Sequence, residues 1–342
     1  AVAWAFPADL RIGGLAYLAD PKLFEQATLP ELARALAPGG SIEAWSSEVV
    51  HYAAEQSCTM RVRLSGQLAS GEAFGRTIYG KCHADGESGR AVQALDNIEA
   101  ALANERERAF GIARVILEQP QLGIQWQEAA PGVQLEMAGF FDSALGQAER
   151  VGAAVAGLHG LPVKLDAPPV APDLDRLKRR LAIAAVLPAA VQARVAALLV
   201  WLARRAPPRP HSSALRLCHG DLHAKNMFDD GARIHFIDFD AVHMAPPEHD
   251  AASLRAALMY FAALQELGDS AAAASFTRWR SAYESAGGRL NEERLAWLSV
   301  YCLLDERLYR CLTRLKPGRR EIAELLVSKA EQVTQRRSAR DV

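Results

Sequence analysis

One stretch, residues 217–250 (LCHGDLHAKNMFDDGARIHFIDFDAVHMAPPEHD), constrains this chain of 342 residues more than any other. Two short apolar runs, 214–218 and 234–237, flank a polar loop and a turn. Asp229-Asp230-Gly231 between them is a strong hairpin signal. The first run delivers His219, Asp221, His223 and Asn226 onto a loop. The second ends at Asp238, followed at once by Phe239 and Asp240. The chain thus offers an acid and an amide five residues apart, with a further acid after the next strand. Phosphoryl transfer uses such a set: one carboxylate orients and deprotonates a hydroxyl, and an amide oxygen and a second carboxylate hold Mg²⁺ on the phosphates.

The same residues admit two other readings. Six of the nine histidines lie between His211 and His249, and imidazoles and carboxylates this close together suit Zn²⁺ or Mn²⁺ in a metal-dependent hydrolase. They also suit the ordinary polar groups of a hairpin, which cap loops and satisfy backbone. Composition excludes little else. Half the residues are hydrophobic, 23% are charged and the formal net charge is −1, so nothing global steers the chain to nucleic acid or a membrane surface. Five scattered cysteines without a C-x-x-C point to a reducing compartment and no structural zinc. The apolar start, residues 1–7, is too short for a signal sequence, and the longest apolar helical run, 195–203, is too short to span a bilayer. The expectation is a cytoplasmic enzyme of two domains or lobes.

Hydrophobic periodicity orders the rest. Residues 21–37 have helical spacing, divided at Pro30, within a helical preface spanning 1–45. From 47 to 83 the period becomes two, with runs at 59–64 and 76–81, which predicts an antiparallel meander. Residues 88–102 form a helix with Ala91, Leu95, Ile98 and Leu102 on one face. Two further strands, 111–117 and 122–128, complete a five-stranded sheet. Helices are expected at 143–158, 174–186 and 190–203, and from Asp250 to the end. His159 closes the first of these, where its simplest role is to meet the helix dipole.

The loop His219-Gly220-Asp221-Leu222-His223-Ala224-Lys225-Asn226 resembles the H-G-D-x-H-x-x-N catalytic loop of the aminoglycoside phosphotransferase/choline kinase family. Ile237-Asp238-Phe239-Asp240 resembles that family's metal-binding segment. The resemblance covers roughly residues 47–335. It implies an α+β, protein-kinase-like two-lobed fold, with a small antiparallel sheet and one helix in the first lobe (1–128). The second lobe (129–342) is then mostly helical and carries the catalytic hairpin. It implies Asp221 as catalytic base, Asn226 and Asp238 as Mg²⁺ ligands, and ATP or GTP as donor to a hydroxyl of a small molecule. Asp240 varies in the family and is open to metal or acceptor. Lys81, ordinarily a solvated strand-end residue, becomes the lysine on the nucleotide phosphates, partnered by Glu99 or Glu105 from the helix. Gln127, Glu128 and Ala129 become the hinge beside the adenine. Asp250 matches an acid read as a helix N-cap.

This sequence departs from the family in the loop 54–58, Ala-Glu-Gln-Ser-Cys, which joins the first two strands. Its counterpart covers the phosphates with help from glycine, and here the backbone at Ser57 must serve without one. This departure leaves open a kinase-like binding protein without catalysis, against which the intact Asp221, Asn226 and Asp238 stand. Arg307, Arg310 and Arg314 share a helical face with Asp305 and Glu306 beside them, and no acidic cluster is evident in the C-terminal helices. Aminoglycosides, being polycations, ask for an acidic pocket. The acceptor expected is therefore neutral or anionic (a sugar, a sugar derivative or another hydroxylated metabolite), with an aminoglycoside as the open alternative.

Overall fold

The computed structural model describes residues 6–84, 88–103, 109–166, 169–313 and 318–338. It has α+β architecture, an antiparallel sheet early and helices late. The chain divides into two compact units. The first comprises Ala1–Glu105, Ile112–Pro131 and His235–Asp240; the second comprises Arg106–Gly111, Gly132–Ile234 and Ala241–Val342.

The first unit is built on β1 (Ser41–Ala53), β2 (Ser57–Gln67), β3 (Ala73–His83), β5 (Val115–Gln119) and β6 (Ile124–Glu128), ordered β1-β2-β3-β6-β5. A short strand, β4 (Phe110–Ile112), precedes β5. Alternation gives the sheet two faces. Cys58, Met60, Val62, Leu64, Ile78 and Cys82 are buried on one, against Leu15, Leu18, Phe24, Leu32 and Trp126. Ser57, Thr59, Tyr79, Lys81 and His83 line the other, with Thr59 opposite Lys81 in the ladder. The helix α4 (Ser88–Ala103) buries Ala91, Leu95, Ile98 and Leu102, the face that its spacing predicts.

The preface is helical only to Leu36. After α1 (Leu15–Ala19) and α2 (Pro21–Leu23), a π-helical turn (Phe24–Thr28) runs straight into α3 (Leu29–Leu36). Pro30 sits in the first turn of α3 and does not divide the segment, because a first-turn N–H has no helical partner to lose. The strand β1 begins at Ser41, inside the expected preface. Its mostly exposed side chains hide the alternation there.

The second unit is mostly helical: α5 (Gln147–Gly160), α6 (Leu174–Leu181), α7 (Ala189–Arg204), α8 (Glu248–Leu264), α9 (Gly268–Ser285) and α10 (Glu292–Cys302). A π-helical segment (Leu303–Leu308), α11 (Tyr309–Thr313) and α12 (Arg319–Ser338) complete it. Among the described residues no helix is long and apolar enough to cross a membrane. The loop-bearing stretch is more elaborate than two flanking strands. The strand β8 (Arg216–Cys218) pairs antiparallel with β11 (His243–Ala245), while β7 (Val133–Gln134) pairs with β9 (Met227–Asp229). The Asp230-Gly231 turn therefore joins β9 to β10 (Ile234–Phe236), and the strand before it is Met227–Asp229, not 214–218. The strands β9 and β11 have only three residues each, too few for a period to declare itself.

Candidate active site

The loop between β8 and β9 is bent by Gly220, whose φ is +83°. A Cβ here would lie 2.0 Å from the carbonyl oxygen of Ala241, so glycine is the residue that fits on both counts. Asp250 then holds the bend. It is fully buried, and its carboxylate accepts from the backbone N–H of His219 (2.7 Å) and of Gly220 (3.0 Å). A third contact, 3.1 Å, comes from Nε2 of His159. Burial alone would raise the Asp250 carboxyl, but the His159 hydrogen bond and the fields of His159, His219 and His249 pull it well below the ordinary range.

One sequence expectation changes here and another gains partners. The helix α8 begins at Glu248 with Pro247 at its N-cap, so Asp250 lies within the first turn and serves the loop rather than capping its own helix. His159 lies in the last turn of α5, as expected, where it is buried and spans Asp250 and the Tyr283 hydroxyl (2.9 Å). Neither partner could be found from periodicity, because both come from far along the chain.

The acid and the amide are positioned by this frame. The Asn226 side-chain nitrogen donates to the Asp221 carbonyl (3.0 Å), which leaves the amide oxygen as the atom able to face a cation. Gln134 Nε2 donates to the Lys225 carbonyl (2.7 Å) and supports the loop from β7. Asp221 keeps about a third of its side chain in solvent, with His223 Nε2 at 3.6 Å. Burial holds His223 below the ordinary histidine value; Asp221 opposes this, while Arg307, His219 and Arg310 add to it. Those arginines therefore lie within electrostatic reach of the loop. Arg314 lies outside the described residues.

The first unit carries the other expected groups. Lys81 Nζ reaches Asp238 Oδ1 (2.5 Å) and also pairs with Asp240, which His83 faces at 3.4 Å. Burial would lower the lysine, but the carboxylates of Asp240 and Asp238 hold its proton and raise it. Burial and Asp238 raise the Asp240 carboxyl, with Lys81 opposing. Asp238 sits at φ +64°, a left-handed conformation that costs a non-glycine residue roughly 1 kcal/mol or more and persists only when its surroundings enforce it. Glu99 does not partner Lys81: it binds Arg114 at 2.7 Å on the exposed side of α4. Glu105 lies outside the described residues. Gln127 and Glu128 end β6 and Ala129 follows it; Glu128 N–H donates to Arg114 O (2.9 Å) and Ala129 N–H to Thr77 O (3.3 Å). Gln125, paired with Lys81 across the ladder, was not foreseen; it is 2% exposed and its side-chain nitrogen has no partner among the described residues.

Asn226 and Asp238 offer hard oxygen donors of the kind Mg²⁺ takes. Among the described residues, the one trio of His, Cys and acid side chains close enough for a soft metal is His159, Cys218 and Asp250. All three are buried and already engaged, the thiol facing the carbonyls of Ala245 and Pro246. His159 and Asp250 thus belong to a network that positions the loop.

Several solved structures share the fold over nearly the whole chain. A choline/ethanolamine kinase family protein from Mesorhizobium loti is 17% identical, with a TM-score of 0.54, covering 94% of this chain and 92% of its own. Amicoumacin kinase, solved in complex with AMP-PNP, Ca²⁺ and Ami, is 14% identical (TM-score 0.55; 93% and 94% covered). A choline kinase from Cryptosporidium parvum is 10% identical (TM-score 0.53; 91% and 96%). No curated protein sequence matches significantly. The fold is that of the protein-kinase-like small-molecule kinases. The family model of the phosphotransferase enzymes, which includes the aminoglycoside phosphotransferases, matches residues 85–298, and the chain belongs to that family as a small-molecule kinase.

Proposed function

We propose that this protein transfers the γ-phosphate of ATP or GTP to a hydroxyl of a neutral or anionic small molecule, in a Mg²⁺-dependent reaction. The observation that carries the reading is the loop from His219 to Asn226. A left-handed glycine bends it, a buried acid ties its backbone, and its amide is turned so that the oxygen of Asn226 and the carboxylate of Asp221 are both offered. We assign nucleotide binding to residues 1–128 and acceptor binding to residues 129–342. Asp221 orients the acceptor hydroxyl and takes its proton. Lys81 steadies the phosphates, the backbone at Ser57 approaches them, and Gln127, Glu128 and Ala129 face the base. Asn226 and Asp238 would hold Mg²⁺, which when bound offsets phosphate charge.

The acceptor class rests on how the acids of the second unit are spent. Asp305, 5% exposed, is gripped by Arg176 (3.1 Å) and Arg180 (2.8 Å). Glu306 accepts from Ser253 and from Arg307. Neither acid is free for a polyamine, while Arg307 and Arg310 extend positive field to the loop at His223. That favours a sugar, sugar derivative or hydroxylated acid over an aminoglycoside.

The test is ADP release across a panel of neutral, anionic and cationic hydroxylated acceptors, with ATP or GTP and with or without Mg²⁺. Asp221→Asn removes the base, so turnover is expected to fall by about 10²–10⁴-fold with the melting temperature unchanged. Full activity in a folded Asp221→Asn variant removes Asp221 from its role. A preference for polycationic acceptors refutes the acceptor class.

A further inference from the structure

The preface reaches the loop that departs from the family. Asp9 is 6% exposed, and 46 residues separate it from the N–H of Glu55 that it accepts at 2.7 Å. The same carboxylate oxygen, Oδ2, accepts from the Tyr52 hydroxyl at 3.0 Å, and Oδ1 accepts from Arg11 N–H at 3.0 Å. Phe6 adds an edge-on contact with the Tyr52 ring, centroids 5.3 Å apart. Ile12, just beyond, is buried in the core beneath the sheet. The segment is therefore anchored at one end by packing and grips the β1–β2 loop at the other.

What it grips is a strained turn. Glu55 has φ +60°, the left-handed region that glycine takes freely and other residues enter at a cost. The loop is also closed by Gln56 N–H on Ala53 O (3.0 Å) and by Ala84 N–H, at the end of β3, on Gln56 O (2.8 Å). A loop without glycine needs an outside partner to hold such a turn, and a buried carboxylate on the turn's own N–H is a strong one. Ser57 follows directly.

We infer that Asp9 is a positioning residue of the nucleotide site, holding the loop 54–57 in the conformation that a glycine-containing loop would adopt unaided. The inference rests on the reading of that loop as the cover of the nucleotide phosphates. It makes the N-terminal segment part of the nucleotide-binding unit and not an outer decoration.

Asp9→Asn is the discriminating variant. It keeps the size of the side chain and an oxygen for Arg11, but sets an amide N–H₂ where Glu55 N–H and the Tyr52 hydroxyl now donate. Calorimetric binding of two probes, Mg·AMP-PNP and adenosine, reads the result. We expect AMP-PNP affinity to fall about tenfold and adenosine affinity to stay within twofold, because the loop touches phosphates only. Glu55→Gly in the Asp9→Asn background is expected to recover part of the loss, since glycine holds the left-handed turn without help. Equal losses for both probes, or no loss for either, overturn the proposal. If Asp9→Asn does not fold, Tyr52→Phe, which removes one of the two donors on Oδ2, is expected to give a smaller loss of the same probe-selective kind, and an unselective or absent effect there overturns it as well. Wild-type protein that binds neither probe defeats the nucleotide reading itself, which is a distinct result.

Discussion

Replacing Asp250 by asparagine tests whether the catalytic loop is held by its buried acid. The carboxylate accepts three hydrogen bonds, from His219 N–H, Gly220 N–H and His159 Nε2, at 0% exposure. An amide offers one oxygen and a nitrogen that only donates. In either orientation at least one buried N–H faces another donor, which costs about 1–3 kcal/mol. The remaining bonds lose their charge assistance, roughly half of their strength. The total expected is about 3 kcal/mol, a large share of the 5–15 kcal/mol that a domain ordinarily has. Hydrogen exchange reads this locally. The amides of His219 and Gly220 should exchange about 100-fold faster in Asp250→Asn, since 1.4 kcal/mol is a factor of ten. Urea unfolding followed through Trp279 and Trp297, both buried in the second unit, should shift by a similar free energy. Unfolding within 0.5 kcal/mol of wild type (roughly the spread of a silent substitution), with unchanged exchange at these amides, would refute the argument that the acid holds the loop.

Three further outcomes follow from the same contacts. Gly220→Ala sets a Cβ 2.0 Å from Ala241 O at φ +83°, and should lower stability by more than about 2 kcal/mol and abolish turnover, measured by urea unfolding and ADP release. Lys81→Met leaves Asp238 and Asp240 facing each other without their shared cation. The pair is about a third exposed, so the stability cost is about 1–2 kcal/mol, while kcat/KM for ATP should fall at least tenfold; an unchanged kcat/KM for ATP would contradict the role of Lys81. His249 is depressed from 6.5 to about 4, first by burial and then by His243, against whose ring it sits edge-on at 4.7 Å. Its folded value lies below its unfolded one, so the stability it confers is complete above pH 6.5 and is lost as pH falls toward 4. The upper bound is about 3 kcal/mol, and because His249 as a residue is only partly buried we expect about half of that. His249→Phe should flatten the fall in melting temperature between pH 7 and pH 4.5.

The parts of this protein that were legible in its sequence are those whose signal is local. The meander alternates because one face of the sheet meets a core, and α4 shows its stripe for the same reason. The H-G-D-x-H-x-x-N spacing is local too, because the bend at Gly220 fixes which neighbours face which. What escaped reading depends on partners remote in sequence. Asp250 looked like a cap because caps are short-range, and nothing in the text of α8 reveals that its carboxylate meets a backbone 30 residues earlier. His159 needed Tyr283, 124 residues on. Glu99 carries no mark that distinguishes Arg114 from Lys81 as its partner. The strand β1 hid its first residues because an edge strand with exposed side chains on both faces has no period to show.

One physical pattern links the two loops. Each contains a residue in the left-handed region, Gly220 in one and Glu55 in the other, and each is tied by a carboxylate that accepts two donors or more from outside its own segment. Where glycine supplies the bend, the buried acid Asp250 has only to orient a backbone that already tolerates it. Where it does not, Asp9 must also offset the strain at Glu55. The two acids should therefore respond differently to a glycine nearby. Introducing glycine at 55 lightens the task of Asp9, whereas position 220 is already glycine and leaves Asp250 no such relief. Loss of Asp9 is then repairable by a second substitution in its loop and loss of Asp250 is not, an asymmetry that paired variants can measure directly.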